Sequence, residues 1–242
     1  MSRVASGPLK LFSSGVLLVL AATISFETYA QLPDPERFER DIRRFERDDE
    51  RNPPPEGAIV LTGSSSIARW NNQAEEALAP LTVIPRGFGG SIMNDVVHYV
   101  DRVILAYKPR AVVIYEGDND TSPGSLIPLA MITNQLEDII DQIHRELPET
   151  RVYVLSVKPS PIRESVWERA QLLNEHYQAL ADENPLVHYI DVATPLLNED
   201  GSMRRDLYVR DMLHLNGSGN EIWGASIKAG LMPIEAQYET TN

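Results

Sequence analysis

From Gly57 onward, short apolar runs alternate with helix-length segments in which apolar residues recur every three or four positions. The runs cover residues 58–61, 81–84, 111–115, 152–157 and 186–190. Strands that alternate with helices pair in parallel through right-handed crossovers, and helices then cover both faces of the sheet. The sequence therefore predicts an α/β fold, a three-layer α/β/α sandwich with a five-stranded parallel sheet of flavodoxin-like strand order.

Residues 1–30 have the pattern of a secretory signal peptide. The basic residues Arg3 and Lys10 precede an apolar run over residues 11–24. Ala30 then supplies a small residue at the expected cleavage point. A membrane anchor is the less favoured interpretation, because a span needs about 20 apolar residues. We expect an exported bacterial protein, periplasmic or secreted, with no stable membrane span in its mature form.

Residues 31–56 are predicted to form a charged N-terminal helix and a linker. Phe38, Ile42 and Phe45 give this helix one narrow apolar stripe, and three consecutive prolines end it. A helix that packs against the domain is favoured over a partner-binding helix. Residues 57–242 are predicted to form one α/β domain.

Composition excludes several classes of function. A formal net charge of −13 argues against a nucleic-acid binder, which needs a basic face to neutralise phosphates. The absence of cysteine excludes disulfides, thiolate metal sites, a cysteine nucleophile and a lipoprotein anchor. Neither GxGxxG nor GxxxxGK follows a predicted strand, so the common nucleotide-binding motifs are missing. The sequence carries no signal for an oligomeric state.

Polar segments follow the predicted strands, on the edge where an open α/β sheet binds its ligands. Three serines follow the first strand, and Ser65 is the predicted nucleophile, with Ser64 and Ser66 as alternatives. A serine hydroxyl needs a base within hydrogen-bond reach, and that base needs a partner to orient it. Asp211 and His214, three positions apart before the last helix, offer both groups. The pattern predicts a Ser65–His214–Asp211 triad.

Two further strand ends offer hydrogen-bond donors for a developing negative charge. The second strand leads into RGFGGS, in which Gly90 can present a bare backbone N–H. The third strand leads into Asp118-Asn119-Asp120, in which the amide of Asn119 supplies a side-chain donor. We expect Gly90 and Asn119, with the N–H of Ser65, to stabilise an oxyanion.

The segments GSSSI, RGFGGS, GDND and DMLH resemble the four sequence blocks of the SGNH (GDSL-type) hydrolases and occur in that family's order. The resemblance implies that residues 57–242 are an SGNH hydrolase domain, with that family's fold and no metal or cofactor. It also implies a nucleophilic Ser65, an oxyanion hole of Ser65, Gly90 and Asn119, and a DxxH pair of Asp211 and His214.

Ser64 stands where this family usually has an aspartate, and we expect the change to re-route hydrogen bonds under the nucleophile. The GSSSI form is similar to lysophospholipase-like esterases and to acetylhydrolases related to platelet-activating-factor enzymes. The implied function is a serine esterase that cleaves small acyl esters or lysophospholipid-like substrates through an acyl-enzyme. A polysaccharide O-acetyl esterase with the same site is the first alternative.

Two other hypotheses come from different classes of function. One is a binding module without catalysis, which would leave the triad residues without a role. The other is a metal-dependent phosphoesterase, which would leave the serine and glycine segments unexplained. The ligands of that phosphoesterase would be Asp118, Asp120, Asp211 and His214.

Overall fold

The computed structural model describes Met1 and residues 32–239. Apart from Met1, the predicted signal peptide lies outside the described residues. The strands are β1 (Ile59–Gly63), β2 (Val83–Gly87), β3 (Ala111–Tyr115), β4 (Arg151–Leu155) and β5 (Val187–Ile190). The helices are α1 (Glu39–Arg51), α2 (Ser65–Trp70), α3 (Ala74–Leu78), α4 (Met93–Val103), α5 (Leu129–Glu146), α6 (Trp167–Glu183) and α7 (Gly217–Glu235). Within residues 32–239, every helix is too short or too polar to span a bilayer.

The five strands form one parallel sheet in the order β2-β1-β3-β4-β5. This order confirms the predicted five-stranded parallel sheet of flavodoxin-like topology. Strands β1 and β2 run past their predicted ends into polar residues, where Gly63 pairs with Gly87. The buried Thr62 hydroxyl donates to the Arg86 carbonyl at 3.2 Å, so a polar residue is accommodated inside the sheet.

Helices cover the sheet on both faces. Helix α5 packs between α4 and α6 on one face, and α3 packs on α7 across the other. On the second face the Trp70 and Trp223 rings meet edge to face, with centroids 5.1 Å apart, and Tyr115 lies 5.5 Å from Trp223. Such aromatic pairs add stability beyond their buried area. They fix α2 and α7, the two helices that flank the predicted serine and histidine segments.

Helix α1 lies against the α/β unit rather than free of it. Its stripe is buried, with Ile42 fully inaccessible to solvent. Arg102 of α4 binds two glutamates of α1, and Arg86 of β2 forms an ion pair with Asp49 near its end. The geometry therefore favours the packing interpretation of this charged helix over a partner-binding role.

Candidate active site

The first strand ends in a turn that only glycine can make. Gly63 has a φ of +137°, and a Cβ there would lie 2.1 Å from the Tyr115 carbonyl oxygen. The chain then enters α2 with Ser65 as its first residue, half-buried at the edge of the sheet. The N–H of Ser65 belongs to the first helical turn, whose donors have no acceptor within the helix.

The structure brings Ser65, His214 and Asp211 into one chain of hydrogen bonds. Ser65 Oγ lies 2.9 Å from His214 Nε2, and His214 Nδ1 lies 2.7 Å from Asp211 Oδ2. A carboxylate only accepts hydrogen bonds, so Nδ1 carries the proton in the neutral ring. Nε2 is then free to accept the hydroxyl proton of Ser65, which is the polarity that serine activation requires.

Asp211 is held in place by its own loop. Its Oδ1 accepts the backbone N–H groups of Leu213 and His214, both at 2.9 Å. Burial opposes ionisation of this carboxyl, but the hydrogen bonds from His214 and Leu213 outweigh burial and lower its pKa well below the usual range. The carboxylate therefore stays ionised and can stabilise an imidazolium.

The glycine loop that carries one predicted oxyanion donor lies beside the nucleophile, and Asn119 is bonded to that loop. A Cβ on Gly89 would lie 3.7 Å from Cβ of Ser65, so the glycine loop passes over the start of α2. Gly90 has a φ of +93°, which favours glycine, and is exposed. Asn119 donates from Nδ2 to the Ser91 carbonyl at 2.8 Å. One of its two amide hydrogens therefore remains available beside this loop.

Ser64 behaves differently from expectation. Its N–H donates to the Tyr115 carbonyl at 3.1 Å, and its carbonyl accepts from Ala68 at 3.0 Å. Its buried hydroxyl has no hydrogen-bond partner among the residues that the structure describes. The prediction that Ser64 re-routes hydrogen bonds under Ser65 is therefore wrong for its side chain, since only its backbone takes part.

The acidic residues that follow β3 bind groups within the protein. Asp120 accepts backbone N–H groups from Met93 at 2.9 Å and Gly117 at 3.1 Å. Asp118 forms ion pairs with Lys158 and Arg163. No three His, Asp or Glu side chains within the described ranges are grouped to hold a metal ion. The proposed ligand set of a phosphoesterase is therefore not brought together here.

Sequence reasoning missed Lys158 and Arg163. They follow β4, whose end carries none of the predicted site residues. A lysine directly after a buried strand, in the segment KPSPIR, was the available signal. Lys158 is 2% exposed, and its ammonium group donates at 2.8 Å to the carbonyl of Leu213, the residue before His214.

Buried acids beneath the site make stability depend on pH. Burial raises the pKa of Asp120 to about 6, and burial followed by the charge of Asp120 raises that of Glu116 well above its usual range. At these two carboxyls the folded state therefore binds more protons than the unfolded state between pH 5 and 7. Stability then falls as pH rises. We expect the free energy of unfolding in urea to be greater at pH 5 than at pH 7 by about 1 kcal/mol or more.

Below about pH 4 the free energy of unfolding should instead decrease as the pH falls. The pKa of Glu39 is lowered to about 2 by hydrogen bonds from Arg102 and Arg43, so its stabilising contribution is lost on acidification. The Glu116→Gln side chain is neutral at every pH. This variant should therefore show a smaller increase in the free energy of unfolding between pH 7 and pH 5. A wild-type protein that loses stability steadily from pH 7 to 5 would contradict this assignment.

Comparisons with known proteins agree with the architecture. A sequence model described as the GDSL-like Lipase/Acylhydrolase family matches residues 54–222. That range is more than half of the chain and contains every predicted site residue, namely Ser65, Gly90, Asn119, Asp211 and His214. No curated protein is similar enough to the chain to count as a match.

Solved structures share the fold at low identity. A Streptococcus pneumonia protein, provisionally named a platelet activating factor, is 24% identical over 80% of this chain and 92% of its own, with a TM-score of 0.69. A GDSL-like lipase from Bacteroides thetaiotaomicron VPI-5482 is 20% identical over 79% and 97%, with a TM-score of 0.68. An acetylxylan esterase from Geobacillus stearothermophilus is 12% identical over 74% and 95%, with a TM-score of 0.58. At these identities the likeness shows the fold alone.

Proposed function

The chain belongs to the GDSL-like lipase/acylhydrolase family, and from that premise we propose that it is a serine esterase that hydrolyses carboxylic esters through an acyl-enzyme. The observation that carries the proposal is the continuous hydrogen-bond chain from Asp211 through His214 to Ser65, with distances of 2.7 and 2.9 Å. A serine paired with an oriented imidazole is the arrangement that acyl transfer requires.

In the first half of the reaction, Ser65 Oγ attacks the ester carbonyl carbon while His214 Nε2 takes the hydroxyl proton. The carbonyl π electrons move to oxygen, and the N–H groups of Ser65, Gly90 and the Asn119 amide bind the resulting oxyanion. The tetrahedral intermediate then collapses. The C–O bond to the alcohol breaks, His214 returns its proton to the leaving alkoxide, and the acyl group stays on Ser65.

The second half releases the acid. A water molecule gives a proton to His214 Nε2 and attacks the acyl carbon, and the same donors bind the second oxyanion. The bond to Ser65 Oγ then breaks, and His214 returns the proton to that oxygen. Asp211 stays ionised throughout and stabilises the imidazolium in both halves of the cycle.

Two exposed apolar side chains, on or bonded to loops that carry predicted site residues, support small acyl esters or lysophospholipid-like substrates as the first candidate. Leu126 and Ile162 are large apolar side chains with 83% and 61% of their surface exposed. Leu126 belongs to the loop that follows Asn119, and the Ile162 N–H donates to the Met212 carbonyl in the loop before His214. Exposed apolar side chains on such loops suit an acyl chain better than a strongly polar group.

A polysaccharide O-acetyl esterase is the second candidate. It uses the same chemistry, and the support for it is the acetylxylan esterase among the structures of similar fold. Export from the cell, which we propose from the pattern of residues 1–30, is compatible with both substrate classes.

A labelling experiment tests the serine mechanism. We expect a fluorophosphonate probe to modify Ser65, with the adduct located by peptide mass spectrometry, and we expect ester hydrolysis to persist in a chelator. His214→Ala should lower the labelling rate, because the base that activates Ser65 is gone. Chelator-sensitive activity in a protein that resists the probe would instead support the metal-dependent phosphoesterase.

A substrate panel then separates the two ester classes. It comprises p-nitrophenyl acetate, butyrate and octanoate, together with lysophosphatidylcholine and acetylated xylan. Preference for the acyl esters and the lysophospholipid would support the first candidate. A kcat/KM for acetylated xylan that exceeds all the others would favour the polysaccharide esterase.

A further inference from the structure

Arg163, in the segment that follows β4, binds Asn119 of the candidate oxyanion hole. We infer that Arg163 is a positioning residue, which fixes the Asn119 amide so that its N–H faces the oxyanion; this inference rests on the proposed esterase function. The side chain of Arg163 is 16% exposed and is held by contacts to the loop after β3. Its role would therefore be exerted through Asn119 and not by contact with the substrate.

The contacts of Asn119 determine which end of its amide points where. Arg163 Nη2 lies 2.8 Å from Asn119 Oδ1, and a guanidinium can only donate hydrogen bonds. On the other side, Asn119 Nδ2 lies 2.8 Å from the Ser91 carbonyl oxygen, which can only accept. Both neighbours require the same orientation. A flipped amide would place its oxygen where the oxyanion forms, and two negative oxygens would repel each other.

Asp118 fixes Arg163 in turn. Arg163 Nη1 donates to both the backbone carbonyl and the carboxylate of Asp118. Asp118 is 4% exposed, and its carboxylate also accepts from the Tyr115 hydroxyl at 3.0 Å and Lys158 at 3.4 Å. Burial opposes ionisation of Asp118, yet the charges of Lys158 and Arg163 lower its pKa, so its carboxylate stays negative.

The two terminal nitrogens of the Arg163 guanidinium bind different residues, and a replacement side chain would have to make both contacts. One nitrogen binds Asp118 while the other binds Asn119, so the two residues are held in a fixed relation. A lysine at this position keeps the charge but offers a single donor atom. Arg163→Lys can therefore satisfy Asp118 or Asn119 but loses the geometry that links them.

A double-mutant cycle tests this role. For hydrolysis of p-nitrophenyl acetate we expect Arg163→Lys to lower kcat by about 10- to 100-fold with little change in KM, since misplacement of a catalytic donor by about 1 Å has effects of that size. Asn119→Ala should lower kcat by about 10²- to 10³-fold. In the Asn119→Ala background, Arg163→Lys should change kcat by less than about twofold, because its target is gone.

Arg169→Lys is the matched control. Arg169 of α6 also binds carbonyls of a neighbouring loop, those of Ser125 and Ile127, but it has no bond to Asn119. We expect its kcat to stay within about twofold of the wild type. The unfolding midpoint of each variant is measured in parallel, and Arg163→Gln replaces Arg163→Lys if the latter does not fold.

Two results would overturn the role of Arg163. One is an equal loss of kcat in both backgrounds, which means that Arg163 acts independently of Asn119. The other is a raised KM with unchanged kcat, which means that it binds substrate directly. Fluorophosphonate labelling of Ser65 decides the esterase mechanism separately. Continued labelling together with either result would leave the serine esterase in place and remove only this role.

Discussion

Replacement of Ser65 by alanine is expected to lower kcat for p-nitrophenyl acetate by about 10⁴- to 10⁶-fold. The hydroxyl of Ser65 lies 2.9 Å from the base His214, so its loss removes the nucleophile itself. Ser65 is half-buried at the first position of α2, and removal of one oxygen there should change the free energy of unfolding by less than about 1 kcal/mol. The measurement is steady-state hydrolysis, with circular dichroism to verify the fold.

Ser66→Ala is the matched control for this prediction. Ser66 is the adjacent residue of α2 and one of the alternative nucleophiles that the sequence allows. We expect Ser66→Ala to keep kcat within about tenfold of the wild type, because Ser65 retains its bond to His214. The double variant Ser65→Ala/His214→Ala should be no slower than Ser65→Ala alone, since the two residues act as one unit. A Ser65→Ala protein with wild-type activity would disprove the mechanism.

Asp118→Ala is expected to destabilise the protein by about 3–5 kcal/mol. The side chain of Lys158 is fully buried, and Asp118 is its charged partner at 3.4 Å. Burial already lowers the pKa of Lys158, while the charge of Asp118 opposes that change. Without the carboxylate, the buried ammonium keeps two hydrogen-bond acceptors among residues 32–239, the Ser160 hydroxyl and the Leu213 carbonyl. Urea unfolding monitored by circular dichroism measures the loss.

The double variant Asp118→Ala/Lys158→Met separates charge from packing. We expect it to be more stable than Asp118→Ala, because both buried charges are gone and the methionine fills a similar volume. Lys158→Met alone should be milder than Asp118→Ala, since Asp118 keeps its ion pair with Arg163 and its bond from Tyr115. If the double variant were as unstable as Asp118→Ala, the loss would come from packing and not from an unpaired charge.

Local sequence patterns predicted most of the fold. The apolar runs of β1 and β3 and the helical spacing between the strands follow from which side chains avoid water, and this preference is visible in single segments. The ends of β1 and β2 were predicted too early, because Thr62 and Arg86 are polar residues that the sheet accommodates. The Thr62 hydroxyl donates to the Arg86 carbonyl, and the Arg86 side chain donates to Tyr107 and Asp49. Such accommodation depends on a neighbouring strand and leaves no local signal.

The candidate site divides in the same way. The sequence alone determined that Ser65, Gly90, Asn119, Asp211 and His214 follow strand ends, and in a parallel sheet those ends share one edge. Only the tertiary structure showed that two cations join this edge, the buried Lys158 and the partly buried Arg163. In sequence a lysine or arginine is most often a solvated surface residue.

The physical reason is the range of the interactions. A strand or helix is specified by residues near one another in the chain, so the spacing of its apolar residues can be seen within one segment. The burial of Lys158 depends on Asp118 and on the Leu213 carbonyl, which lie 40 and 55 positions away. A buried charge is stable only where the whole fold supplies its partners. The sequence thus determined which groups meet at the edge of the sheet, and the tertiary structure decided which side chains hold them in position.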